Sequence, residues 1–177
     1  MTTEIIIAGF GGQGVVSSGI ILAYAGLLEN LNVTFFPSYG AEMRGGTANC
    51  SVVVSDQKIA SPVVTNPSVV IAMNEPSLLK FEPMVKQGGT LFFNQTLIKS
   101  RPKRTDIEII PVEANKIAEE LGQGRVANMV MLGAMIKKTG IIGIATMKKA
   151  QRKRFARANE EQLILNDKAL ERGFELI

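Results

Sequence analysis

A short hydrophobic segment at the start of the chain leads directly into a glycine-rich turn. Residues 5–8 (Ile-Ile-Ile-Ala) are continuous and mostly β-branched, which is typical of a strand covered on both faces. Gly9, Gly11 and Gly14 follow with the spacing G-x-G-x-x-G, and residues 15–30 are apolar enough to predict a helix. A buried strand that turns sharply into a packed helix is the first unit of an α/β fold.

The rest of the chain alternates between short strands and helices. Further strands are predicted at about 33–36, 48–55, 68–73, 90–94 and 107–112. Further helices are predicted at about 76–88, 114–121 and 128–139, with one or two more in a tail from about 146 to 172. This alternation predicts an α/β protein, a single domain over residues 1–177. Its mainly parallel, Rossmann-like sheet is flanked by helices, and a C-terminal helical tail either folds over the domain or reaches toward a partner.

The composition excludes several kinds of catalytic centre. One cysteine cannot form an intramolecular disulfide, a Cys-ligated zinc site or an all-cysteine iron–sulfur cluster. The absence of histidine from the sequence excludes a Ser–His or Cys–His pair and every imidazole metal ligand. We therefore predict no metal site in this chain, and we expect Cys50 to be a small buried hydrophobe within a strand.

Hydropathy further limits the class of protein. Mean hydropathy is +0.16, yet the most apolar stretch, residues 126–136, is about half the ~20 residues of a membrane-spanning helix. We therefore expect the apolar surplus to form core or partner-facing surface and expect no membrane contact. The first residues lack the positive charge of a signal peptide, which predicts a cytoplasmic protein.

The glycine turn by itself is a weak indication of nucleotide binding. A dinucleotide site also expects an acidic residue at the end of the second strand, about 20 residues on, to bind the ribose hydroxyls. Here that strand ends at residues 35–38 (Phe-Phe-Pro-Ser), and the preceding acid, Glu29, belongs to the predicted helix. A structural turn or an anion site that faces a partner is therefore favoured over NAD or FAD binding.

The segment from 37 to 47 is the most informative loop. Three glycines surround Glu42 and Arg44 just past a predicted strand, and loops at the carboxyl edge of an α/β sheet are where ligands bind. Arg44 has the geometry to hold a carboxylate or phosphate as a bidentate fork. The alternative is that Glu42 and Arg44 pair locally on a glycine-rich turn.

Two later segments have ordinary structural interpretations. Residues 128–136 predict a helix that is apolar all round, with Asn128 as its N-cap and methionines as core filling. Six of the residues from 148 to 157 are basic. Such a run is most often a solvated helix face, and the alternative is a contact to an acidic subunit or a phosphorylated ligand. The run lacks the repeated aromatic residues that stack on bases, so no nucleic-acid partner is expected.

Residues 9–14, 37–46 and 128–133 occur in the order seen in the gamma subunit of 2-oxoacid:ferredoxin oxidoreductases, and residues 166–173 resemble the closing helix of that family. The resemblance spans nearly the whole chain. It implies a subunit of an enzyme that converts a 2-oxoacid, coenzyme A and oxidised ferredoxin into acyl-CoA, CO2 and reduced ferredoxin. It also implies partner alpha, beta and delta subunits that carry thiamine diphosphate, Mg2+ and [4Fe-4S] clusters. No Gly-Asp-Gly motif for thiamine diphosphate occurs in this chain.

The resemblance assigns no catalytic residue to this chain. It implies a candidate coenzyme A or interface loop made of Gly11, Gly12, Gln13, Gly14, Tyr39, Glu42, Arg44, Gly45 and Gly46. The helix after Gly14 and the basic tail are further candidates for phosphate contact. We expect 2-oxoglutarate as the substrate, with pyruvate or 2-ketoisovalerate as the alternative and a free-standing nucleotide-binding protein as a more distant one. We expect the isolated chain to form a dimer.

Overall fold

A computed structural model describes residues 1–38 and 47–177 of the chain. The described strands are β1 (Thr2–Phe10), β2 (Asn32–Ser38), β3 (Thr47–Ser55), β4 (Val69–Ala72), β5 (Thr90–Asn94) and β6 (Glu108–Val112). The described α-helices are α1 (Val15–Leu28), α2 (Glu75–Phe81), α3 (Ala114–Glu120), α4 (Ala127–Thr139), α5 (Ile144–Arg154) and α6 (Glu160–Glu175). Single 3-10 turns cover Glu82–Met84 and Gly124–Val126.

All of these strands belong to one sheet with the order β2-β3-β1-β4-β5-β6. The pairings β1–β4, β4–β5 and β5–β6 are parallel, as the alternation of strands and helices predicts. The pairings β1–β3 and β2–β3 are antiparallel, because a short connection joins β2 to β3 where a parallel pair needs a longer crossover. The prediction of an α/β fold with a mainly parallel sheet is confirmed.

Side chains alternate between the two faces of the central strand. Ile5 and Ile7 pack in the larger core with α1, α4, α5 and α6, whereas Ile6 and Ala8 pack in a smaller core with α2. Each of these four side chains is at most 2% exposed. The unbroken hydrophobic run at 5–8 is therefore explained by helices on both sides of β1, which is the usual reason for such a run.

Helix α4 is buried on all sides, as its composition predicts, because α6 covers the side that faces away from the sheet. Every residue from 127 to 136 is buried. The two helices touch backbone to backbone at Gly133 and Gly173. A Cβ atom on Gly133 would overlap the carbonyl oxygen of Leu170, and one on Gly173 would overlap that of Val130.

The C-terminal tail folds back over the domain, which is one of the two arrangements that the sequence left open. Gln151 of α5 and Asn166 of α6 form a buried hydrogen bond of 3.0 Å. Arg152 forms ion pairs with Asp167 (2.7 Å) and Glu160 (2.9 Å), which together raise the pKa of its guanidinium. Among the described residues, no helix is long and apolar enough to cross a membrane.

We predict that Gly133→Ala and Gly173→Ala each lower the free energy of unfolding. Alanine favours a helix over glycine by about 1 kcal/mol, but the added methyl group would meet rigid backbone, and such overpacking costs about 1–3 kcal/mol or more. Urea denaturation followed by circular dichroism measures the change.

The matched control is Gly124→Ala, because a Cβ there has a single neighbour, the Cγ of Glu119, at 4.0 Å. Its stability should stay within ~0.5 kcal/mol of the unsubstituted chain. Unchanged or increased stability in the Gly133 variant would show that the α4–α6 contact is looser than described.

Candidate functional site

The candidate site begins at the turn between β1 and α1. Gly12 and Gly14 have φ angles of 93° and 73°, which side chains other than glycine rarely adopt. The backbone N–H of Phe10 donates to Oε1 of Gln13 at 2.7 Å, and the N–H of Gln13 donates to the carbonyl oxygen of Phe10 at 3.1 Å. The side chain of Gln13 thus closes the turn, a role that the sequence did not reveal.

Asn128 is not the N-cap of α4, and that prediction is wrong. The helix begins at Ala127 after a 3-10 turn, so Asn128 already lies inside it. Its Nδ2 donates instead to the carbonyl oxygen of Gly14 (3.3 Å) and to Oγ of Ser18 (3.0 Å). Asn128 and its partners are more than 100 residues apart in the chain. The one feature of the sequence that hints at this contact is a single amide side chain in an otherwise apolar stretch.

A cavity of about 410 Å3 opens beside the turn, and we name it the turn cavity. It is lined by Phe10, Gly11, Gly12, Gly14, Val15, Val16, Ser17 and Ala48. The first turn of α1 contains no acidic residue, so the positive end of its dipole faces this space uncompensated by a carboxylate on the helix. The turn cavity therefore favours an anionic group.

The predicted loop residues Tyr39, Glu42, Arg44, Gly45 and Gly46 lie outside the described residues. The ends of their segment are described. Ser38 pairs with Asn49, and Thr47 pairs with Phe10 at the end of β1. Both ends therefore lie at the carboxyl edge of β1, the edge that carries the glycine turn.

Four of the six basic residues between 148 and 157 fall into two groups with different contacts. Lys148 and Arg152 form ion pairs with carboxylates of α6. Lys153 and Arg154 are exposed and point to α1: the ammonium of Lys153 lies 5.0 Å from the ring centre of Tyr24, and Nη2 of Arg154 donates to Oγ of Ser17 at 3.4 Å. Since Ser17 lines the turn cavity, Arg154 brings a positive charge to its rim.

The single cysteine is buried within β3, as predicted. Cys50 is fully buried, and burial raises the pKa of its thiol to about 12. A thiol with that pKa is neutral at pH 7, whereas the form that acts as a nucleophile or metal ligand is the thiolate. Within residues 1–38 and 47–177 no group of three or more His, Cys, Asp or Glu side chains is placed to hold a metal ion.

We predict that Asn128→Ala lowers the free energy of unfolding by about 0.5–1.5 kcal/mol, because it removes the hydrogen bond to Oγ of the buried Ser18 and one of the three donors to the carbonyl oxygen of Gly14. Ser18→Ala should cost less. The double variant should show a coupling energy of at least ~0.5 kcal/mol in urea denaturation, since the two side chains share one hydrogen bond. Strict additivity would contradict the contact.

We also predict that a thiol reagent labels Cys50 at pH 8 only when the chain unfolds, as measured by mass spectrometry against a urea-unfolded control. Because the folded pKa of about 12 exceeds the pKa of 9.0 for a cysteine thiol exposed to water, ionisation of this thiol favours the unfolded chain. Its contribution to stability is complete below pH 9 and is lost as the pH rises toward 12. Rapid labelling of the native chain at pH 8 would show that the thiol is accessible.

Known proteins match the chain over nearly its full length. Relatives include ketoisovalerate oxidoreductase subunit VorA of Methanothermobacter marburgensis, 41% identical over 94% of this chain. The chain spans only 35% of that relative. It is also 37% identical to 2-oxoglutarate synthase subunit KorC of the same organism, over 100% of this chain and 97% of KorC.

Two solved structures share the fold. The gamma subunit of a keto/oxoacid ferredoxin oxidoreductase from Geobacter sulfurreducens superimposes with a TM-score of 0.84 at 30% identity, over 98% of this chain and 96% of that one. The 2-oxoglutarate:ferredoxin oxidoreductase of Magnetococcus marinus, with 2-oxoglutarate, coenzyme A and succinyl-CoA bound, superimposes with a TM-score of 0.90 at 28% identity. The match covers 99% of this chain and 31% of that one.

A family model described as pyruvate ferredoxin/flavodoxin oxidoreductase matches residues 4–176. With this match, the relatives above and the shared sheet, the chain belongs to the pyruvate ferredoxin/flavodoxin oxidoreductase family.

Proposed function

We propose that the chain is the gamma subunit of a 2-oxoacid:ferredoxin oxidoreductase, an enzyme that forms acyl-CoA and CO2 while it reduces ferredoxin. The observation that carries this proposal is the end-to-end match to separately encoded subunits, with 97% of KorC and 96% of the Geobacter sulfurreducens gamma subunit covered. A free-standing nucleotide-binding protein would not be expected to match such subunits from end to end.

The electron-transfer and decarboxylation chemistry belongs to partner subunits in this proposal. One buried cysteine cannot supply the four thiolates of a [4Fe-4S] cluster, and the sequence lacks the Gly-Asp-Gly motif for thiamine diphosphate. Alpha, beta and delta subunits hold these cofactors, and ferredoxin accepts the electrons from them. This chain contributes a folded surface and contacts to coenzyme A.

Coenzyme A binds at the turn cavity in this proposal. Its phosphates suit the N-terminus of α1, the backbone of Gly11, Gly12 and Gly14, and the guanidinium of Arg154 at the rim. The 39–46 segment, with Arg44 as its candidate ligand, leaves and re-enters the sheet at the same edge. A cavity of about 410 Å3 is large enough for part of coenzyme A, and the rest extends to a partner subunit.

The proposed 2-oxoacid is 2-oxoglutarate, because the relatives that match this chain from end to end include 2-oxoglutarate synthase subunits. A second candidate is 2-ketoisovalerate or pyruvate, which the higher identity to VorA, 41%, favours.

The isolated chain forms a dimer in this proposal, since its exposed surface includes Leu27, Phe36 and Leu79, each more than half exposed.

Co-purification tests the subunit assignment. The chain, tagged and expressed in its native cells, should co-purify in equal amounts with a thiamine-binding pair and an iron–sulfur protein. The purified complex should reduce ferredoxin with 2-oxoglutarate and coenzyme A faster than with pyruvate or 2-ketoisovalerate. A chain recovered only without partners would contradict the proposal, and a faster rate with either other acid would reassign the substrate alone.

We predict that Arg154→Gln and Arg44→Ala each raise the KM for coenzyme A in the assembled enzyme by about tenfold, with a smaller change in kcat. A hydrogen bond from a charged donor to phosphate contributes about 1.5–3 kcal/mol, and exposure of Arg154 places the effect at the low end. Steady-state kinetics with coenzyme A as the varied substrate measures the change.

The matched control is Arg101→Gln, because Arg101 is also exposed but lies in the connection between β5 and β6. It should leave the KM unchanged. Equal KM values for coenzyme A in all three variants and the unsubstituted enzyme would show that coenzyme A does not bind at the turn cavity.

A further inference from the structure

A second, smaller cavity lies on the other side of the glycine turn. It has a volume of about 180 Å3, and we name it the switch-point cavity. It is lined by Gly12, Gln13, Met73, Asn115, Gly124, Arg125 and Ala127. Gly12 is the one residue that it shares with the turn cavity. Strand β1 lies between β3 and β4 in the sheet. The turn cavity opens on the β3 side of β1 and the switch-point cavity on the β4 side, so the two cavities are separate.

This position is the point where the chain connections diverge. From β1 the chain runs through α1 to β2 at one end of the sheet, whereas from β4 it runs through α2 to β5 in the opposite direction. The two helices pack in the two separate cores, on opposite faces of the sheet. Divergent connections leave a crevice between the carboxyl ends of the two strands, and ligands of α/β proteins bind in such crevices.

The carboxamide of Gln13 presents its donor group to this cavity. Its Oε1 accepts from the backbone N–H of Phe10 at 2.7 Å, which fixes which end of the amide is the oxygen. Its Nε2 lies 3.4 Å from the carbonyl oxygen of Met73 on the cavity wall. This second contact is long, so the Nε2 group retains capacity to donate to a ligand.

Asn115 is oriented by a buried neighbour. Asn94, at the end of β5, is fully buried, and its Nδ2 lies 3.5 Å from the carbonyl oxygen of Met73. A carbonyl accepts and does not donate, so this end of Asn94 is the NH2 group. The same Nδ2 donates to Oδ1 of Asn115 at 2.7 Å. The free end of Asn115 is therefore its own NH2 group, which forms no hydrogen bond with the residues that the structure describes.

The third donor is Arg125, which carries the only formal charge among the described residues that line the cavity. Its side chain is exposed, and within the described ranges no ion pair or hydrogen bond engages its guanidinium. None of the lining residues that the structure describes carries a carboxylate. We propose that the switch-point cavity binds a small oxyanion, the phosphate or carboxylate group of a ligand, between the guanidinium of Arg125 and the amide groups of Gln13 and Asn115.

The size of the cavity limits the ligand to one such group. Pockets that enclose a drug-sized molecule begin at about 300 Å3, well above the 180 Å3 found here. The planar guanidinium matches the two oxygens of a carboxylate or phosphate, and the two amides add uncharged donors. The site does not depend on the proposed function. Arg125 and Asn115 have no part in the proposed coenzyme A site, and the candidate coenzyme A loop shares only Gly12 and Gln13 with this cavity.

Anion titration of the full-length chain tests the site. Inorganic phosphate, coenzyme A and 2-oxoglutarate are added separately at constant ionic strength, and amide chemical shifts near residues 115 and 125 are followed by NMR. We expect saturable shifts with at least one of them. Shifts with inorganic phosphate and coenzyme A assign a phosphate group, and shifts with 2-oxoglutarate alone assign a carboxylate group.

Two variants show whether these residues carry the binding. Arg125→Gln should raise the Kd at least about tenfold, which corresponds to ~1.4 kcal/mol. Asn115→Asp should abolish binding, because it still accepts from Asn94 but replaces the free NH2 with a negative oxygen. Circular dichroism confirms that both variants fold.

Arg101→Gln is the control and should leave this Kd unchanged. Absence of saturable shifts with all three anions, or equal weakening by Arg125→Gln and Arg101→Gln, would overturn the site.

Discussion

The hydrogen bonds from Asn128 to Gly14 and Ser18 connect the N-terminal glycine turn to the C-terminal third of the chain. They connect the glycine turn and α1, formed by the first 28 residues, to α4, which lies more than 100 residues later. Helix α4 in turn contacts α6 through Gly133 and Gly173, so the C-terminal helix is tied to the turn through two successive contacts. A buried amide that bonds two backbone or hydroxyl partners also fixes one register between its helices, since any shift leaves polar groups unpaired.

These contacts build a scaffold. In the proposed function, the redox and decarboxylation chemistry of the family lies on other subunits. The interior is mostly apolar but contains buried polar side chains such as Asn94, Asn128 and Gln151, and the one thiol is buried and neutral. The turn cavity has the helix dipole and Arg154, and the switch-point cavity has Arg125 and two oriented amides. In the proposals above, both cavities bind anions. The chain then contributes to its enzyme by binding anionic parts of the substrates and by packing against subunits that hold the cofactors.

Much of the fold follows from the sequence because its strongest signals are local. The hydrophobic run at 5–8 and the apolar stretch 129–136 of α4 indicate burial directly, and the glycine turn indicates backbone geometry. Asn128 was misassigned because N-capping is a local rule, whereas its true partners come from another part of the chain. The orientation of Asn115 depends on Asn94 and Met73, which only the assembled sheet brings together. The pairing of Arg152 with α6 likewise required the tail to fold back.

Activity of the reconstituted enzyme is the most direct test of the central claim that this chain assists chemistry carried out on neighbouring subunits. The chain alone, the partner subunits alone and the mixture are each supplied with 2-oxoglutarate, coenzyme A and oxidised ferredoxin, and ferredoxin reduction is followed by absorbance. The account predicts no reduction by the lone chain and a rate in the mixture well above that of the partners. Reduction by the pure, lone chain would contradict it.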